Sequence, residues 1–226
     1  MANVRPLPQN AHVATSDTSK VIRNTYLLLS MTMLLSTVTA VISMAINPPF
    51  MAYLGSVILS FVLLFVLHKK QNSAAALPLT FAFTGLLGFG LGPILNQYLA
   101  LPNGGQIVAT ALGMTAITFF GLSAYALTSR KDFSFMGGFL AAGMMVALVA
   151  MVALFVLPMF GVNVSGLHLA FSAVVVMLMA GFVLYDTSNI VNGHYTNYVM
   201  ATVSLYLSIY NLFIHLLSLV GAFSDD

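Results

Sequence analysis

The sequence predicts an all-α, polytopic membrane protein, a bundle of seven transmembrane helices with the seventh at its centre. Three observations carry that prediction. First, 60% of the 226 residues are hydrophobic and only 5% are charged, whereas a soluble domain charges roughly a quarter of its residues to face water. Second, residues 24–68, 71–129, 133–185 and 187–224 hold no charged side chain, and each run outlasts the ~20 residues that cross a bilayer. Third, once those runs are divided at their turn residues, all seven Lys and Arg fall on one side of the resulting topology.

Several function classes drop out at once. A soluble enzyme or a secreted disulfide scaffold does not fit this charge arithmetic. A net charge of +2 with no long Lys/Arg cluster leaves nothing to track nucleic-acid phosphates. The absence of Cys removes disulfides, thiolate metal sites and Cys nucleophiles. The polar residues 1–24 and the long apolar run after them do not read as a secretory signal peptide.

The elements follow in order from the turn residues. Asn47-Pro48-Pro49 divides the first run into helices near 25–46 and 50–67. Leu101-Pro102-Asn103-Gly104-Gly105 divides the second into helices near 75–98 and 106–128. The stretch from Pro158 to Gly166 divides the third into helices near 134–157 and 167–190. After Asn192-Gly193-His194 one more helix is expected near 198–221. Residues 1–22, containing Pro, Ser, Thr and Asn, read as a flexible, unfolded tail, and 23–226 as the membrane domain. Arg5, Lys20 and Arg23 precede helix 1, Lys69 and Lys70 follow helix 2, and Arg130 and Lys131 follow helix 4. The positive-inside rule then puts the N-terminus in the cytoplasm and the C-terminus, with Asp225 and Asp226, outside. Tyr26, Tyr53, Tyr98, Tyr125, Tyr195 and Tyr198 fall near helix ends, as an interfacial belt requires.

Asp186 is the first candidate for function. It is the only charged residue between Asp132 and Asp225 and lies toward the cytoplasmic end of helix 6. A carboxylate in hydrocarbon costs several kcal/mol, so it normally faces the bundle interior or a water-filled cavity. The plainer alternative is an ordinary helix-end residue at headgroup level. Helix 7 supplies a polar stripe: Asn197, Ser204, Ser208, Asn211, His215 and Ser218 share an arc of about 80° at 100° per residue. Such a stripe points inward, either as interhelical hydrogen-bond glue or as the wall of an ion or proton path. An antiparallel hairpin centred near Tyr195 makes Asp186 level with Ser204 and Ser208. A carboxylate facing hydroxyls without a counter-charge is penalised in its ionised form, which makes Asp186 a proton-sensing candidate.

Other features weigh less. Gly88 and Gly92, with Gly85, Gly90 and Pro93 around them, suit close helix packing and a kink, or a gating hinge. They form no phosphate loop, since neither a preceding strand nor a following Lys-Ser/Thr is present. His12, His68, His168, His194 and His215 include no i, i+4 metal pair. His215 could relay protons or simply pack. No nucleophile–base or paired-carboxylate set stands out, so neither catalytic residues, a metal nor a cofactor is expected.

The chain resembles the BAX inhibitor-1 family in two segments. One is Gly181-Phe182-Val183-Leu184-Tyr185-Asp186-Thr187; the other is Ser204-Leu205-Tyr206-Leu207-Ser208-Ile209-Tyr210-Asn211-Leu212-Phe213. Across Asp186-Thr187-Ser188-Asn189-Ile190-Val191-Asn192-Gly193 and Thr196-Asn197-Tyr198 it is most similar to the bacterial branch that modulates the FtsH protease. The resemblance implies seven helices, residence in the bacterial inner membrane and an FtsH partner. It also implies a tail, with Arg5, Lys20 and Arg23, that this protease handles. Many family members pair the first Asp with a second one in helix 7, as a latch responsive to protons and calcium. Here Ser208 holds that second position. Serine does not ionise, so the two acids that would share a proton or grip calcium are reduced to one. That departure favours a protease regulator, with a pH-sensitive proton or cation channel around Asp186, Ser204, Ser208, Asn211 and His215 as the alternative.

Overall fold

A computed structural model describes the backbone of residues 9–49 and 51–224, and side chains from residue 18 within that range. Seven helices are long and apolar enough to cross a membrane. They are α1 (Gln9–Ile46), α2 (Met51–Lys69), α3 (Ala76–Leu99), α4 (Gly104–Ser129), α5 (Gly137–Val156), α6 (Ser165–Val191) and α7 (Tyr198–Ser224). Short 3₁₀ turns at Ser134–Met136 and Leu157–Phe160 extend α5 at both ends. Among the described residues there is no strand. Helices dominate because hydrocarbon offers backbone N–H and C=O groups no partner except each other.

The turn residues act as expected. α1 stops before Asn47, which takes the left-handed φ of 51° ahead of two prolines that lack the N–H to continue a helix. Gly193 adopts φ 76° just after α6 and turns the chain toward α7. The start of α1 differs from expectation. Residues 9–22 were read as part of an unfolded tail, yet the helix begins at Gln9 and runs unbroken into the membrane. From Gln9 to Ile46 there is neither Pro nor Gly, so a helix nucleated by the apolar span extends backwards at one hydrogen bond per residue. Arg5 and the rest of residues 1–8 lie outside the described residues.

α7 is the central helix. It packs against α1, α3, α4 and α6, and half of its most apolar window is buried, compared with 11% for α5 at the periphery. α5 leans on α6 and presents Phe139, Val146, Val149 and Phe155 outward. In a bilayer such side chains meet lipid tails and need no protein partner. α2 packs chiefly on α3.

The closest approach is between α1 and α3. A Cβ added at Gly88 would overlap the Ser36 carbonyl, and one at Gly92 would overlap the Ser43 side chain. The spacing predicted from Gly88 and Gly92 therefore serves packing, with small residues letting two backbones meet. α3 itself stays helical through Pro93. Above this contact, the Tyr206 hydroxyl from α7 lies 2.6 Å from Ser36 Oγ and donates to the Thr84 carbonyl at 3.2 Å, tying three helices together.

Gly88→Ala is expected to lower thermal stability in detergent, because overpacking a tight contact costs roughly 1–3 kcal/mol. Gly113→Ala, where an added Cβ meets nothing within 4 Å, is expected to be neutral or to gain up to about 1 kcal/mol of helix propensity. Equal melting shifts for the two variants would refute this account of the α1–α3 contact.

Candidate functional site

Asp186 lies in α6, five residues before its end at Val191, and is 1% exposed. Its side chain is therefore enclosed by the protein. Ser204 Oγ, one and a half turns into α7, donates to Asp186 Oδ2 at 2.6 Å. The Tyr195 hydroxyl, from the α6–α7 turn, donates to Oδ1 at 3.2 Å. The hairpin register expected from the sequence thus places Ser204 correctly. Among the described residues no cation reaches the carboxylate, and hydroxyl donors hold it instead. Tyr195 stands outside the spans, and burial together with the nearby Asp186 charge pushes its phenol well above the ordinary tyrosine range. It remains a protonated donor at every physiological pH.

The remainder of the polar stripe does not converge on Asp186. Ser208 Oγ donates back to the Ser204 carbonyl at 3.1 Å, within its own helix. Asn211 Nδ2 likewise donates to the Leu207 carbonyl at 2.8 Å. His215 Nδ1 sits 3.2 Å from Ser172 Oγ of α6, and Ser218 lies beside Tyr98 of α3. Asn197 is a helix cap: its Oδ1 accepts the Val199 and Met200 N–H groups at 2.9 and 3.2 Å. Its Nδ2 donates to the Gln71 carbonyl at 2.9 Å, fastening the α2–α3 connection to the start of α7. Helix capping, backbone bonds and interhelical glue account for each member apart from Ser204.

The residues flanking Asp186 form a rim of interlocking bonds that sequence reasoning did not identify. Thr187 shares a hydrogen bond with Ser123 of α4 at 3.3 Å. Ser188 Oγ donates to the Lys131 carbonyl at 3.0 Å and accepts from the Phe133 N–H at 2.9 Å. The Asn189 carbonyl accepts both the His194 and Tyr195 N–H groups, at 2.8 and 3.2 Å. Asn192 Nδ2 donates to the Ser188 carbonyl at 3.0 Å. The segment Asp186-Thr187-Ser188-Asn189 thus fastens α7, α4, the α4–α5 connection and the α6–α7 turn in consecutive residues. The sequence places Tyr195 in the interfacial belt and at the centre of the α6–α7 hairpin, but not as a donor to Asp186. Its position nine residues after Asp186, in that turn, is the signal that pairs the two. Lys20 and Arg23 are exposed on α1.

No group of three or more His, Cys, Asp or Glu able to hold a metal comes together among the described residues. What the site can do is keep a single carboxylate dry and oriented against two hydroxyls at the junction of α6 and α7.

A multi-pass membrane protein with seven long apolar helices among the described residues and one buried carboxylate on α6, held by α7, is the class that this fold and site define. Residues 18–225 match the family described as "Inhibitor of apoptosis-promoting Bax1", and the chain belongs to that BAX inhibitor family. A relative from Vibrio cholerae, called "Uncharacterized membrane protein", is 48% identical over 94% of this chain and 93% of its own length. One from Escherichia coli K12, called "Modulator of FtsH protease YccA", is 46% identical over 96% of this chain and 97% of its own. A further Escherichia coli relative, equally similar at 46%, is called "Inner membrane protein YccA".

Ser204→Ala is expected to destabilise the protein by about 1–3 kcal/mol, since it leaves a buried carboxylate short of a donor. Asp186→Asn, which neutralises the group in nearly the same shape, is expected to cost less. Unfolding midpoints in detergent at neutral pH check the order, and a larger loss for Asp186→Asn would reverse it.

Proposed function

We propose that this protein restrains a membrane-anchored, ATP-dependent protease of the FtsH type by binding it as a poorly degraded substrate or regulator. The carrying observation is near full-length 46% identity to the Escherichia coli protein named as a modulator of FtsH protease. The architecture is consistent with a non-catalytic role, because the polar side chains around Asp186 hold helices and turns together. In this reading the N-terminus is cytoplasmic and the C-terminus outside. The positive-inside rule supports that orientation, since Lys69, Lys70, Arg130 and Lys131 all lie at the end of the bundle where α1 enters.

Residues 1–22 are the segment a protease would engage, with Arg5, Lys20 and Arg23 as contact candidates. The helical start at Gln9 shortens any extended grip to the residues before it. Deleting residues 2–22 is expected to speed FtsH turnover of its other membrane substrates while co-purification with FtsH through the helices persists. The proposal fails if FtsH does not co-purify with the full chain and the deletion leaves turnover unchanged.

A second reading is a proton or cation path controlled at Asp186. The observation favouring it is a carboxylate 1% exposed within an apolar helix, held by hydroxyls instead of a cation. In liposomes this reading expects a pH-dependent flux that Asp186→Asn abolishes. Identical flux from the two proteins eliminates it.

A further inference from the structure

α2 and α7 do not close on each other at the end of the bundle that carries Lys69 and Lys70. A crevice of about 750 Å³ opens between them, within the range of a site for one small ligand. On α2 it is lined by Phe61, Leu64, Phe65 and His68, and on α7 by Met200, Val203, Ser204 and Leu207. Both sets fall at i, i+3, i+4 and i+7, the spacing of a helix face made to pack against something apolar. Yet Phe61 and Phe65 remain 65% and 62% exposed.

Depth and charge select the occupant. Phe61 lies eight residues from Lys69 at the end of α2, about 12 Å at 1.5 Å per residue. Leu207 lies nine residues beyond Tyr198 at the start of α7, about 14 Å by the same rise. Half of a ~30 Å hydrocarbon core is about 15 Å, so the crevice is one leaflet deep. A transmembrane helix from a partner would need a groove twice as long. An acyl chain fits, and the rim suits an acidic headgroup. Lys69 Nζ sits 4.5 Å from the centroid of the Phe65 ring, at the crevice wall, with Lys70 next to it. None of the lining side chains is acidic. Two acids lie close by: Asp132, 4.0 Å from His194 on the rim, and Asp186, held behind Ser204 and Tyr195 of the lining. Lys and Arg placed just outside the hydrocarbon attract anionic lipid.

We propose that the α2–α7 crevice binds one acyl chain of an anionic phospholipid, with the lipid phosphate at the Lys69–Lys70 rim. The apolar stripes hold the chain, and Gln71 and Asn197, which also line the crevice, offer amide groups at headgroup level.

The chain contains no Trp, so a single introduced Trp reports one location. Phe61→Trp reads the crevice. Val146→Trp, on the outward face of α5 and 68% exposed, reads ordinary bilayer at a similar distance from the same end. Each variant is reconstituted in phosphatidylcholine vesicles containing increasing fractions of chain-brominated phosphatidylglycerol or chain-brominated phosphatidylcholine. The expected result is several-fold stronger quenching of Phe61→Trp by the brominated anionic lipid, saturating at a low mole fraction. Val146→Trp should respond equally to both lipids and without saturation. Adding Lys69→Ala and Lys70→Ala to Phe61→Trp should return its quenching to the level seen with the neutral lipid. Phe65→Trp reads the same crevice if Phe61→Trp folds poorly. Equal quenching by the two lipids at Phe61→Trp overturns the proposal, and so does a Trp there that neither lipid reaches.

Discussion

The rest of this structure depends on one constraint: hydrocarbon supplies no hydrogen bonds, so a buried polar group, and a carboxylate above all, is costly unless it finds a partner within the protein. Asp186 is the severest case. A carboxylate 1% exposed and without a cation among the described residues has to be met by hydroxyls from elsewhere in the chain. Ser204 and Tyr195 can reach it only if α7 returns antiparallel to α6 through a short, fixed turn. That turn is fixed in its own right by the Asn189 carbonyl, which accepts two consecutive N–H groups. The buried charge and the tight α6–α7 hairpin are therefore one requirement seen from two sides.

The same requirement spreads along the rim. Thr187, Ser188 and Asn192 bind α4 and the α4–α5 connection, and Asn197 binds the α2–α3 connection while capping α7. Short polar side chains at helix ends carry these bonds at little entropic cost, because their rotamers are few. The opposite face of the fold is held differently: glycines let α1 and α3 touch, and a single tyrosine hydroxyl bridges them to α7. α2 packs chiefly on α3, and an open crevice persists on its other side.

Much of the fold was legible in the sequence because its signals are local. Span lengths follow from charge-free runs, and the turns from Asn47-Pro48-Pro49 and Asn192-Gly193. The centrality of α7 follows from its polar stripe. Even the Asp186–Ser204 pairing followed from counting residues across a hairpin. What escaped the sequence depends on where a side chain turns after the backbone is set. Ser208 and Asn211 share the inward arc with Ser204, but each donates to a carbonyl of its own helix. Periodicity gives a residue's direction, and it does not reveal which acceptor the hydroxyl or amide selects. The early start of α1 escaped for a related reason. Polar composition between Gln9 and Ile22 suggested an unfolded tail, while a helix with no Gly or Pro extends readily from an apolar span.

Ser208 gives the site its character within the family. Two facing carboxylates cannot both ionise in a low-dielectric interior, so they share a proton and separate when they lose it. A serine at the second position removes that repulsion. Its hydroxyl bonds to the Ser204 carbonyl, on the very residue that donates to Asp186, so it reinforces the helix turn presenting the donor. Ser208 bonds within α7, so it neither repels Asp186 nor ties α7 to α6. The α6–α7 contact at this level therefore rests on one carboxylate and its two hydroxyl donors, with no second acid among the described residues to repel it.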